Sequence, residues 1–124
     1  MGTWGSGNFD DDTAADHLSI VTDRLIAEVA EAMAGDPVRI EADEYWGVAV
    51  PCNLELLYLL NQQGYVGAEL PKADVIEGWK ASYLPIWERS IDELDPKPEH
   101  RTARREILVR TFDQLTTLAR ARHR

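Results

Sequence analysis

Apolar residues recur at steps of three and four through most of this chain, the period of a helix that buries one face. The first run holds Ala14, Leu18, Val21, Leu25, Val29 and Met33. It predicts a helix over 13–34, capped by Asp12 or Thr13 and stopped by Gly35-Asp36-Pro37. A second run over 43–62 turns Trp46, Ala49, Val50, Leu56, Leu57 and Leu60 inward and ends before Gly64. The third, over 72–93, carries Ile76, Trp79, Tyr83, Leu84, Ile86, Trp87 and Ile91. After the linker "DPKPEH", Ile107, Leu108, Phe112, Leu115 and Leu118 line one side of a last helix over 99–121. No segment alternates with the period of two that a half-buried strand requires.

Two prolines fall inside these runs. Pro51 removes a backbone donor and predicts a kink or break near Trp46 to Val50, and Pro85 suits the first turn of a new helix. The expected fold is therefore all-α: a single domain, 1–124, of about five helices on one core, with residues 1–12 packed on it as a leader. A chain of 124 residues is the size of one such domain.

Charge refines this picture. The net charge is −9, which disfavours nucleic acid and anionic membrane as partners and leaves a protein as the expected one. Before residue 101 there are 6 basic against 20 acidic residues, and from there on 7 against 2. A basic last helix on an acidic body predicts internal pairing, with Arg101, Arg104, Arg105 and Arg110 beside carboxylates such as Glu28, Glu31, Asp92 or Glu93. The single cysteine, Cys52, allows no internal disulfide and is expected as a buried thiol in a cytoplasmic protein. No apolar run is long enough to span a membrane, and no export signal is read at the N-terminus.

Candidate chemistry is sparse. Asp10, Asp11, Asp12 and Asp16, joined in space by Glu41, Asp43 and Glu44, offer oxygen ligands for a divalent cation, but their spacing is not that of an EF-hand. Capping and solvated charge account for the leader aspartates, so no metal and no cofactor are expected. His17, His100 and His123 lack the spacing of a metal site, and no nucleophile elbow or phosphate loop is present. The aromatic residues are more suggestive. Trp79, Tyr83 and Trp87 recur every fourth residue and, with Tyr45 and Trp46, are read as a pocket for a ligand or partner, with core packing as the plainer account.

The leader "MGTWGSGNFDDDTAAD" is the most distinctive stretch. Trp4, Gly5, Gly7, Phe9, Asp11, Asp12, Ala15 and Asp16 follow the pattern M-G-x-W-G-x-G-x-F, an acidic stretch, then Ala and Asp before a helix. In this the chain resembles a bacterial family known only as domain of unknown function 4259. The likeness is looser over "ADEYWGVAVPCNLELLYLL" and "GWKASYLPIWERSIDEL", and His17 and Pro51 depart from the family's usual residues. The resemblance implies no agreed activity. Physically, glycines with Trp4 and Phe9 suggest a lid whose two large side chains are buried against the helices. The functional expectation is a small, non-catalytic interaction or regulatory protein of the immunity type that masks a basic partner. The alternative is a metal-dependent enzyme or a small-ligand binder using the acidic leader and the aromatic residues.

Overall fold

A computed structural model describes residues 2–123, and in them the chain forms four α-helices and no strand. Helix α1 spans Asp12–Ala32, α2 Tyr45–Gln62, α3 Ala73–Glu93 and α4 Pro98–Arg122. The all-α expectation holds, and the count of about five is corrected to four because neither internal proline ends its helix.

Pro51 is tolerated for a definite reason. Its missing N–H would have bonded to the carbonyl of Gly47, four residues back, and that buried oxygen instead accepts a hydrogen bond from the Tyr83 hydroxyl of α3 at 2.6 Å. Pro85 is solved differently: it and Ala81, whose carbonyl it frees, both lie on exposed surface within reach of water.

The helices pack in the order α1, α2, α4, α3, each against the next. Their shared core includes Val29 of α1, Val50, Leu54 and Leu57 of α2, Ile76, Tyr83 and Trp87 of α3, and Leu108, Phe112, Leu115 and Ala119 of α4. Tyr83 and Phe112 meet at a ring separation of 5.5 Å, tilted by 49°, in the middle of that core. The α2–α3 connection is held down by polar contacts. Asn61 donates to the Leu57 and Glu69 carbonyls, Thr22 accepts from the Glu69 amide, and Ser19 donates to the Gly67 carbonyl.

The basic stripe of α4 is neutralised in part by α3. Arg101 pairs with Asp92 at 2.6 Å, Arg105 with Glu88 at 2.7 Å, Arg120 with Glu77, and in the opposite sense Lys80 of α3 with Asp113 of α4 at 2.7 Å. The hydrogen bond from Arg101 holds the Asp92 carboxyl below the ordinary range. Of the partners expected from sequence only Asp92 is used. Glu28 pairs with Arg24 on its own helix, and Arg104 and Arg110 are in no ion pair among the described residues.

Tyr83 ties the fold to pH. Burial pushes its hydroxyl up to about 12, against the opposing charge of Arg104. In the unfolded chain the phenol ionises near 10, so above that pH the unfolded state binds fewer protons and gains relative to the folded one. The contribution is complete below pH 10 and lost between about 10 and about 12, on the order of 2–3 kcal/mol in all. Denaturant unfolding across that window should show this loss in the native protein and a much smaller one in Tyr83→Phe.

Candidate binding cleft at the start of helix α2

The leader is a clip on α1, not a lid on the bundle. Thr3 and Asp11 form an antiparallel bridge, the Trp4 amide bonds to the Asp10 carbonyl and the Asp12 amide to the Gly2 carbonyl, each at 2.7 Å. Inside this loop the Asp10 carboxylate accepts the Gly7 amide at 2.9 Å. The same carboxylate fills the space that a side chain on Gly5 or Gly7 would need, 2.7 Å from where a Cβ on either residue would stand. The glycines of the motif thus make room for an aspartate. Asp11, not Asp12 or Thr13, is the cap of α1, its carboxylate accepting the Ala14 amide at 2.8 Å.

The expected burial of both leader aromatics is corrected. Trp4 is 50% exposed, because the loop satisfies its own backbone and needs no anchor there. Phe9 is half-buried and stacks on Tyr65 of the α2–α3 connection at 4.6 Å. Trp4→Ala should therefore cost less than about 1 kcal/mol, and Phe9→Ala about 1–2 kcal/mol, read by thermal melts of the two variants.

The five aromatic residues read as one pocket separate into two groups. Tyr83 and Trp87 are buried in the core and Trp79 packs partly buried against it, so these three are structural. Tyr45 and Trp46 stand apart at the first turn of α2, edge to face at 5.0 Å and 84°. There they form one wall of an open cleft of about 460 Å³, completed by Val38, Arg39, Ile40, Glu41 and Glu44. A shallower hollow of about 400 Å³ continues past Arg39 and Trp46 toward Asp36 and Pro37.

Four contacts set the shape of this cleft. Ile40 is buried in the core, the Ala42 amide donates to Ser90 of α3 at 2.8 Å, and the Glu44 amide closes a turn on the Glu41 carbonyl at 3.1 Å. The Glu41 carbonyl in turn lies against Gly47, where any Cβ would overlap it. Glycine is required at that close approach. The outcome is an acidic rim, Glu41, Asp43 and Glu44, whose carboxylate oxygens lie within 4.8 Å of one another on exposed surface. Of the acidic residues grouped from sequence, these three come together. The leader aspartates Asp10, Asp11, Asp12 and Asp16 do not join them, being engaged in the clip, in the cap and on the surface of α1.

Arg39 is not singled out by the sequence, since residues 34–44 carry no helical period. The available signal is the run "EADEYW", acidic residues passing directly into two aromatics at a helix start. Among the described residues no Lys or Arg forms an ion pair with Glu41, Asp43 or Glu44.

Residues 2–54 match the family described as Domain of unknown function (DUF4259). The likeness to that family is confined to that stretch. It takes in the leader clip, α1, the whole lining of the cleft and α2 as far as Leu54, whereas α3 and α4 lie beyond it. No curated protein and no solved structure matches the chain. Among the described residues no helix is long and apolar enough to cross a membrane.

Proposed function

We propose that this is a small, non-catalytic interaction protein that takes up a cationic side chain of a basic protein partner in the cleft at the start of α2. One observation carries the reading: three exposed carboxylates converge within 4.8 Å beside an aromatic pair, with no internal cation paired to them among the described residues. Carboxylates supply charge-assisted hydrogen bonds to a guanidinium or ammonium group, and the faces of Tyr45 and Trp46 supply cation–π contact. The net charge of −9 favours encounter with a basic partner at long range. Arg39 on the cleft wall selects further, because the residue beside the bound cation must be neutral or acidic. Masking a basic partner in the cytoplasm, as an immunity-type protein does, is the role this chemistry fits.

Calorimetric titration with a short peptide carrying two arginines and one aspartate tests the reading. Binding should appear at low salt, weaken steeply as salt rises, and fall at least tenfold in the Glu41→Gln, Asp43→Asn, Glu44→Gln triple variant. Equal binding by the triple variant and the parent would falsify it.

A further inference from the structure

Helix α2 is largely apolar on its outer side as well as on its inner one, and α1 and α4 cover only part of it. Between Tyr45 and Gln62 the only charged residue is Glu55, in a chain that is 28% charged. Leu56 and Cys52, expected inward and buried from the sequence, are exposed, and with Tyr45, Val48 and Leu59 they form a stripe along the outer face. An apolar stripe of this length on the outer face of a helix is the mark of a contact surface.

We propose that this stripe is the contact surface of a two-fold symmetric dimer in which α2 packs antiparallel on α2 of a second copy, Cys52 facing Cys52. The register identifies the occupant. Tyr45 and Val48 lie seven and four residues before Cys52, and Leu56 and Leu59 lie four and seven residues after it. An isologous interface requires a patch complementary to itself under reversal. Antiparallel pairing about Cys52 meets that requirement, setting Tyr45 against Leu59 and Val48 against Leu56 of the second copy, twice over.

Charge and area set its strength. Two chains of net charge −9 repel over most of their surface, and α2 is the long element along which they can meet without bringing rows of carboxylates together. Tyr45 is 70% exposed, Val48 48%, Leu56 46% and Leu59 50%. Together these side chains present roughly 400 Å², about half of the roughly 800 Å² per partner in a standard stable interface. The dimer is therefore a weak one, formed as concentration rises. The small residue at the centre allows close approach: helix axes 8–10 Å apart with Cα atoms at a radius near 2.3 Å leave about 3.5–5.5 Å between facing Cα atoms, overlapping the range that a disulfide spans.

Sedimentation of the full chain under reducing conditions, from about 5 to about 500 µM, should show mass rising from 14.0 kDa toward twice that value. Leu56→Glu and Leu59→Lys change net charge in opposite directions, and both sit on exposed positions, with a thermal melt of each variant checking that the fold is kept. Each should weaken dimerisation at least tenfold. Diamide, which takes up the two protons and two electrons released by two thiols, should link native dimers through Cys52 at least ten times faster than either variant. A chain that stays monomeric throughout, as it would if the stripe served a different protein or a lipid surface, overturns the proposal. So does a dimer that both variants leave intact, or a disulfide that forms as fast in them as in the parent.

Discussion

A chain ended at Pro98, lacking α4, should lose cooperative unfolding altogether and be molten or insoluble. The helix supplies Leu108, Phe112, Leu115 and Ala119, all fully buried, and it lies between α2 and α3 in the packing order. At about 1.5–3 kcal/mol for each large apolar side chain, their loss removes on the order of 5–9 kcal/mol directly, against a total stability of about 5–15 kcal/mol. It also exposes the faces of α2 and α3 that met the helix, Tyr83 among them, which has Phe112 as its ring neighbour. The surface ion pairs lost with α4 add little beside this. Circular dichroism through a thermal melt decides the matter: a soluble fragment with a sigmoidal transition would mean that the core closes without α4.

Gly47→Ala should also be strongly destabilising, although it adds one methyl group. A Cβ at this position overlaps the Glu41 carbonyl oxygen and stands 2.8 Å from its carbonyl carbon and 3.2 Å from the Ala42 Cα, all of them backbone atoms that cannot rotate away. Either the 38–44 segment lifts or the first turn of α2 shifts. In both cases the Gly47 carbonyl is displaced from the Tyr83 hydroxyl, leaving a buried polar pair broken. Overpacking and the lost hydrogen bond together should cost about 3 kcal/mol or more, measured by denaturant unfolding. Because the same backbone shapes the cleft, peptide binding should fall with stability. Unchanged stability would show that the 38–44 segment is not fixed by this contact.

Gly47 and Tyr83 also mark where sequence reading reaches its limit. The four helical runs are legible from the spacing of Leu, Ile and Val, and all four helices fall within two residues of the expected bounds at each end. Of the kink or break expected at Pro51, the break does not occur, because the cost of a proline depends on what receives the freed carbonyl, and the hydroxyl that does so lies 36 residues away in Tyr83. Local sequence carries no trace of that pairing.

The leader is legible as a motif and not as a structure. Its two aromatics suggest anchors, but the Asp10 carboxylate and the paired amides of Trp4 and Asp12 close the loop on itself and leave Trp4 in solvent. The aromatic group is half right. Trp79, Tyr83 and Trp87 share one helix and its core face, while Tyr45 and Trp46 belong to a cleft whose other wall, Val38 to Glu41, has no periodicity to reveal it. Glu41, Asp43 and Glu44 are visible as an acidic run; that they converge follows from the turn closed on the Glu41 carbonyl.

Backbone amide shift mapping with the arginine-containing peptide decides whether the cleft at the start of α2 takes up a cationic side chain, because it reports where binding occurs as well as whether it does. Shifts should be concentrated on Val38 to Trp46 and reach Ser90, whose hydroxyl accepts the Ala42 amide, with α3 and α4 otherwise silent and the response abolished in the triple carboxamide variant. Shifts spread over the acidic surface at large, or centred on the leader aspartates, would contradict it.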